Sequence, residues 1–125
     1  MVVLDASATL AELLEEAGAD VVATQMVGAE VSIVNICEVQ TKSAEQGGDV
    51  DEVRCVLGGY ALRVRAFREI HAEAAARLRP LTRHLGLSPG DRACLAQAQI
   101  SCLPVLTADR LWGELDIGLD IRLIR

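Results

Sequence analysis

Four acidic residues that lie far apart along the chain share one setting, the end of a short apolar segment or the start of the segment that follows it. They are Asp5 after "MVVL", Glu38 after "AEVSIVN", Asp91 after "LSPG" and Asp109 after "PVLTA". Carboxylates that gather in one place repel one another, so a cluster of them is typical of sites that bind divalent cations. Mg²⁺ and Mn²⁺ prefer oxygen ligands, with water and phosphate completing their coordination. If the fold brings these four acids together, they predict a Mg²⁺ or Mn²⁺ site.

The apolar pattern predicts strands that alternate with helices along the chain. Short apolar or alternating runs predict strands at 1–5, 29–35, 60–67, 104–108 and 120–125. Amphipathic runs predict helices or helical turns at 7–16, 19–27, 36–48, 49–57, 68–80, 81–86, 88–102 and 109–115. This order favours an α/β fold, a central parallel sheet with helices on both faces, built by residues 1–125 as a single domain.

Several residues predict where the helices begin and end. Ser7 is the predicted cap of the first helix and Gly18 its end. Pro80 is predicted to stop the helix that starts at residue 68. Ser88 is a predicted cap, with Pro89 at the first helical position.

A parallel sheet would bring the four acids together. The carboxyl ends of its strands share one edge, and helices that cross back over the sheet begin at that same edge. Each acid also has an ordinary interpretation of its own. Asp91 and Asp109 are suited to helix starts, Asp5 to a bond with the next helix, and Glu38 to a solvent-facing helical position. It is the set of four that favours a functional site.

Four stretches of the chain resemble the acidic motifs of PIN-domain proteins in order and spacing. They are "VVLDASATLAELL", "VSIVNICEVQTK", "LSPGDRACLAQA" and "VLTADRLW". More narrowly, they are similar to the VapC toxins of bacterial toxin–antitoxin pairs. The resemblance spans essentially the whole chain and implies a compact PIN-like α/β fold.

The resemblance also implies a function. It implies a Mg²⁺- or Mn²⁺-dependent ribonuclease that hydrolyses phosphodiester bonds, forms a homodimer and is neutralised by a cognate VapB-like antitoxin. Carried over by motif, the catalytic and metal-binding residues are Asp5, Glu38, Asp91 and Asp109. Thr107 matches a Ser/Thr of the family, and Ser7 and Asp116 are further candidates for contacts around these acids. A solvated loop position is the simpler interpretation of Asp116.

Charge is unevenly distributed along the chain, whose net charge is −6. Residues 1–62 hold two basic and eleven acidic residues, whereas residues 63–125 hold ten arginines and seven acids. Arginine binds phosphate well, although arginines also commonly coat the solvent faces of helices. The arginines available to flanking RNA phosphates are Arg63, Arg65, Arg68, Arg77, Arg79, Arg83, Arg92 and Arg110. With few aromatics for base stacking, we expect recognition of a structured RNA, a tRNA or rRNA, through shape and backbone.

No Ser–His–Asp or Cys–His arrangement is present among the motifs, so the predicted chemistry depends on a metal to activate water. His71 and His84 are expected on helix surfaces. The cysteines lack the spacing of a zinc site, and all four are expected to be reduced, buried thiols. With no apolar run of membrane length and no secretory signal, we expect a cytoplasmic protein.

Two alternatives come from other functional classes. A receiver-like signalling domain also carries acids at strand ends, but it needs a pair of acids after its first strand and a lysine after its last core strand. Here Asp5 stands alone and the sole lysine, Lys42, lies in an early helix. The second alternative is a non-catalytic interaction protein on a related α/β fold, which the complete set of four acids disfavours.

Overall fold

Five short strands form one parallel sheet in a computed structural model that describes residues 1–125. The strands are β1 (Val3–Leu4), β2 (Glu30–Ser32), β3 (Arg63–Arg65), β4 (Val105–Thr107) and β5 (Ile121–Leu123), and their order across the sheet is β3-β2-β1-β4-β5. Every pair is parallel. All strands therefore end at the same edge, as the sequence predicted.

Six α-helices and two 3₁₀ turns connect these strands. The helices are α1 (Ala6–Leu13), α2 (Ala19–Ala23), α3 (Ile33–Glu45), α4 (Val50–Gly58), α5 (Glu69–Thr82) and α6 (Pro89–Ser101). The 3₁₀ turns are Arg83–Leu85 and Arg110–Glu114. None of the helices is long and apolar enough to span a membrane.

The helices cover both faces of the sheet because successive strand residues point to opposite sides. Leu4, Val31 and Leu106 pack with helices α1 to α4 in one aliphatic cluster. Val3 and Val105 pack with α5, α6 and the single tryptophan, Trp112, in a second cluster. The predicted α/β fold with helices on both faces is confirmed.

The pairing of β1 with β4 fixes the centre of the sheet edge at which the strands end. Val3 lies opposite Val105 and Leu4 opposite Leu106, and the Asp5 N–H donates to the Leu106 carbonyl at 3.2 Å. The chain leaving β1 and the chain leaving β4 therefore emerge side by side.

Several predicted helix boundaries were wrong. The cap of α1 is Asp5, whose side chain accepts from the Ala8 N–H, and not Ser7. Gly18 precedes α2 with φ 92°, a left-handed conformation that glycine adopts readily, rather than ending α1. Pro80 lies inside α5, in its last turn, where its missing N–H removes one intrahelical bond and the helix runs only to Thr82.

The burial of the cysteines and of His71 differs from what the sequence predicted. Only Cys94 is buried, while Cys37, Cys55 and Cys102 are exposed, because helices α3 and α4 turn the first two away from the core. His71 is buried rather than on the surface, and its Nδ1 accepts from the Arg68 N–H at the start of α5.

One buried carboxylate was not foreseen. Glu30 at the start of β2 is only 3% exposed. Its oxygens accept from the Ser101 hydroxyl at 2.7 and 2.9 Å and from Arg65 Nε at 3.2 Å. These contacts fasten the end of α6 and the edge strand β3 to β2, so Glu30 has a structural role away from the four predicted acids.

Candidate active site

A cavity of about 410 Å³ lies at the carboxyl edge of the sheet. All four acids singled out in the sequence line it: Asp5, Glu38, Asp91 and Asp109. Glu45, two helical turns beyond Glu38 on α3, adds a fifth carboxylate that the sequence reasoning missed. Asp116 does not line the cavity and is exposed, so the structure separates it from the other predicted residues.

Asp5 is the most enclosed of these acids and lies directly after β1. Its side chain is 5% exposed. Its oxygens accept from the Ser7 hydroxyl at 2.7 and 2.9 Å, from the Ala8 N–H at 2.8 Å and from the Thr107 hydroxyl at 2.8 Å. These donors fix the orientation of the carboxylate, which therefore serves as helix cap and cavity wall at once.

Ser7 and Thr107 also tie the Asp5 carboxylate to the chain that follows β4. The Ser7 oxygen accepts from the Ala108 N–H at 2.9 Å, and the Thr107 oxygen accepts from the Asp109 N–H at 3.0 Å. Ser7 and Thr107 thus both contact the Asp5 carboxylate, and Thr107 also contacts the backbone of Asp109. Through them, the positions of Asp5 and Asp109 are coupled.

Asp91 and Asp109 each use one oxygen at the start of a helical segment. Asp91 Oδ2 accepts from the Ser88 N–H at 2.9 Å, in a reciprocal pair with the Ser88 hydroxyl, which confirms Ser88 as the cap of α6. Asp109 Oδ1 accepts from the Leu111 N–H at 3.0 Å. In both carboxylates the second oxygen has no partner within the protein. Capping is therefore compatible with a second contact in the cavity.

Glu38 lies against the first turn of α6. Asn35, one turn earlier on α3, donates from Nδ2 to Glu38 Oε2 at 2.9 Å and to the Gly90 carbonyl at 3.0 Å. Asn35 was not singled out in the sequence. Its spacing of three residues before Glu38, which places both on one helical face, is the signal that could have found it.

The cavity has a strongly negative electrostatic environment. Burial, and to a smaller extent the charge of Asp91, raises the pKa of Asp5 to about 6, against hydrogen bonds from Ala8, Ser7 and Thr107 that lower it. Cys94 lies behind the cavity in α6. Burial raises the pKa of its thiol well above the usual value, and the charges of Asp5, Asp91 and Glu38 raise it further. The negative charges of Asp5, Asp91 and Glu38 therefore all act on the region around Cys94.

Lys42 is the one basic residue that lines the cavity. None of the arginines predicted to contact RNA does so. Lys42 follows Glu38 by one turn of α3, is exposed, and forms no salt bridge although five carboxylates share its cavity. Its ammonium group is therefore free to meet an anion that enters from solvent.

The donor chemistry of the cavity fits a hydrated divalent cation. Its lining offers carboxylate and hydroxyl oxygens, no histidine and one exposed thiol, that of Cys37. No group of three or more His, Cys, Asp and Glu side chains is arranged to hold a metal ion without movement. Mg²⁺ commonly keeps several waters and takes one or two carboxylates directly, so the cavity fits such an ion better than a fully dehydrated one.

Comparison with known proteins gives a family and a set of similar folds. The model of the PIN domain family matches residues 2–117. No curated protein sequence matches the chain. A toxin–antitoxin complex from Klebsiella pneumoniae contains a chain of similar fold, with a TM-score of 0.80 at 16% identity, covering 100% of this chain and 98% of that one.

Two further solved structures have related folds. The DNA-bound VapBC complex from Salmonella typhimurium gives a TM-score of 0.72 at 17% identity, with full coverage of both chains (100% each). FitAcB from Neisseria gonorrhoeae gives 0.58 at 19% identity, covering 87% of this chain and 88% of that one. At these identities the likeness concerns the fold.

Replacing Asp5 by Asn should stabilise the metal-free protein at neutral pH but not in acid. Because the folded-state pKa of Asp5 is about 6 against an ordinary 3.8, the folded protein binds more protons between these values. The free energy of unfolding of the wild type should therefore fall by up to about 3 kcal/mol as pH rises from 4 to 7. The uncharged Asn side chain avoids this fall. It leaves one of the surrounding hydrogen-bond donors without a partner, which lowers the free energy of unfolding by about 1 kcal/mol or more.

Urea unfolding in EDTA, followed by the fluorescence of the buried Trp112, measures this difference. We expect Asp5→Asn to gain about 1–2 kcal/mol over the wild type at pH 7.5 and to lose this advantage near pH 4. Asp116→Asn, an exposed acid outside the cavity, is the matched control. An Asp5→Asn protein whose stability follows the same pH course as the wild type would contradict the raised pKa.

Proposed function

The chain belongs to the PIN domain family, and from that premise we propose that it is a VapC-like ribonuclease toxin that depends on Mg²⁺ or Mn²⁺. The observation that carries this proposal is the convergence of Asp5, Glu38, Asp91 and Asp109 on one cavity at the carboxyl edge of the sheet. The members of this family are generally nucleases. The proposal covers residues 1–125 as one domain that acts in the cytoplasm.

The four carboxylates would hold a hydrated cation, one or two of them as direct ligands and the others through its bound waters. When bound, the cation would neutralise charge developing on the phosphate and supply a water of lowered pKa. Asp5 is held rigidly by Ser7, Ala8 and Thr107, so it is suited to be the fixed ligand. Neither histidine lines the cavity, so no imidazole stands ready as a general base, and the acids have to provide the site for phosphodiester hydrolysis.

Lys42 is the residue best placed to bind a phosphate of the substrate. A phosphodiester that approaches five carboxylates is repelled, and an unpaired ammonium on the cavity wall offsets part of this repulsion. The arginines outside the cavity remain available to more distant phosphates of a structured tRNA or rRNA. Lys42 is thus the proposed phosphate contact nearest the acids, and it was not among the arginines predicted to bind flanking phosphates.

A cognate VapB-like antitoxin is the proposed inhibitory partner. Complexes with antitoxins are among the similar folds. Next to the acidic cavity, and sharing Leu10 with it, lies an apolar groove between α1, α3 and α4 that includes Leu13, Leu14, Val53 and Val56. An amphipathic helix with one basic side chain at its end would fill the groove and reach the carboxylates.

The free toxin is proposed to be a homodimer. The exposed apolar side chains of Val21 and Val27, on and just after α2, are candidates for the contact. Sedimentation of the purified chain at micromolar concentration tests this, and a monomer alone would contradict it.

The purified chain should cleave RNA in Mg²⁺ or Mn²⁺ and stop cleaving in EDTA. Asp109→Asn should slow cleavage by about 100-fold or more, because it removes a proposed ligand, while Asp116→Asn, purified in the same way, should cleave like the wild type. The readout is cleavage of total tRNA and rRNA on denaturing gels. Activity that persists in EDTA would contradict the metal mechanism, and no activity under any condition would favour the alternative of a non-catalytic interaction protein.

Lys42→Gln should weaken substrate binding with little effect on the chemical step. We expect KM to rise roughly fivefold to tenfold, the loss of one charge-assisted contact, with kcat near that of the wild type. Lys42→Arg should retain most of the affinity. Arg77→Gln, an exposed charge on α5, is the control. A KM for Lys42→Gln equal to that of the wild type would remove Lys42 from the substrate contact.

The protein encoded next to this chain in its genome should inhibit cleavage if it is a small DNA-binding protein of the antitoxin class. Mixing the two proteins should abolish RNA cleavage at about equimolar ratio. Changing Leu14 to Asp in the groove, where the side chain is 48% exposed, should weaken the complex without altering cleavage by the free chain. Inhibition that is insensitive to Leu14→Asp would place the partner elsewhere on the surface.

A further inference from the structure

Asn35 is a buried polar residue one helical turn before Glu38, and nothing in the proposed chemistry uses it directly. We propose that Asn35, together with Gly90, positions the Glu38 carboxylate for cation binding. The inference rests on the proposed metal site. Asn35 acts through Glu38, so it is a positioning residue and not a catalytic one.

The hydrogen bonds of Asn35 fix its side chain in one orientation. Its Nδ2 group has two hydrogens and two acceptors, Glu38 Oε2 at 2.9 Å and the Gly90 carbonyl at 3.0 Å. The reversed amide would place Oδ1 against both of these oxygens, with no hydrogen between them. Because the side chain is 1% exposed, water cannot replace either contact. The amide is therefore a rigid donor aimed at Glu38.

Gly90 leaves the space that the Glu38 carboxylate occupies. A Cβ atom at position 90 would lie 2.7 Å from Glu38 Cδ and 3.0 Å from Oε2, and would overlap Oε1. Residue 90 is the second residue of α6, a helix of 13 residues. Its N-terminal amides and dipole favour a negative charge at this point. Glycine thus lets Glu38 rest on the start of the helix that carries Asp91.

The carbonyl oxygen of the Asn35 amide indicates that this arrangement persists although it lowers the stability of the folded protein. Asn35 Oδ1 is buried and has no hydrogen-bond partner, which costs free energy in a folded protein. An apolar side chain of similar size would fill the same space without an unpaired oxygen. A purely structural link between α3 and α6 would not need the bond to Glu38, whereas a positioning role does.

The test measures cation affinity apart from activity. Mn²⁺ binding to the full chain is followed by electron paramagnetic resonance, for the wild type, Asn35→Leu and Gly90→Ala. The control is Gln97→Leu, because Gln97 on α6 is also a buried amide with an unpaired oxygen but donates to the Ser101 hydroxyl rather than to an acid of the cavity. Trp112 fluorescence confirms that each variant is folded at the temperature used.

We expect Asn35→Leu and Gly90→Ala to bind Mn²⁺ roughly 10- to 100-fold more weakly, the usual effect of removing a partner of a metal ligand. Gln97→Leu should bind like the wild type. RNA cleavage by Asn35→Leu should be slow at low Mn²⁺ and recover at high Mn²⁺, which a general loss of packing would not produce.

The Mn²⁺-binding measurement and the RNA cleavage assay together separate this inference from the proposed function. A folded Asn35→Leu protein with wild-type Mn²⁺ affinity would overturn the positioning role and leave the nuclease proposal intact. A wild type that binds Mn²⁺ in an Asn35-dependent manner but cleaves no RNA would support the positioning role and overturn the nuclease proposal.

Discussion

The buried negative charge of Asp5 is the constraint on which the site depends. A carboxylate that is 5% exposed at the end of a central strand is unfavourable unless donors or a cation compensate for it. The chain supplies the Ser7 hydroxyl, the Ala8 N–H and the Thr107 hydroxyl, yet burial still raises the pKa of Asp5 to about 6. The protein's own donors therefore compensate only in part. A bound cation would complete the compensation.

The same local interactions build the fold and the site. Asp5 caps α1, Asp91 forms a reciprocal pair with Ser88, the cap of α6, and Asp109 caps the 3₁₀ turn after β4. Parallel strands bring these three starts to one edge. In Asp91 and Asp109 the helix-start contact uses one carboxylate oxygen and leaves the other without a protein partner, whereas both oxygens of Asp5 accept hydrogen bonds. For Asp91 and Asp109 the ordinary and the functional interpretations thus describe two oxygens of the same group rather than competing roles.

Sequence patterns predicted the parts of the molecule that depend on local order. Apolar runs and helix periodicity predicted the alternation of strands and helices, and the position of each acid at a strand end or in the first part of a helix predicted that the acids would meet at one edge. Burial and long-range contacts were harder to predict from the sequence. Glu30 looked like one more strand residue, although it binds Ser101 from 71 positions further along the chain. The environment of Asn35 depends on Gly90, 55 positions away, and the exposure of Cys37 depends on which face of α3 meets the core. No local pattern carries that information.

The most direct test of the proposed metal site is a crystal structure of the chain soaked with Mn²⁺, with the metal located by its anomalous scattering. We expect a peak in the acidic cavity, within coordination distance of an Asp5 oxygen and of at least one other carboxylate among Glu38, Asp91 and Asp109. A well-ordered cavity with no peak at saturating Mn²⁺, or a peak bound only elsewhere on the protein, would contradict it.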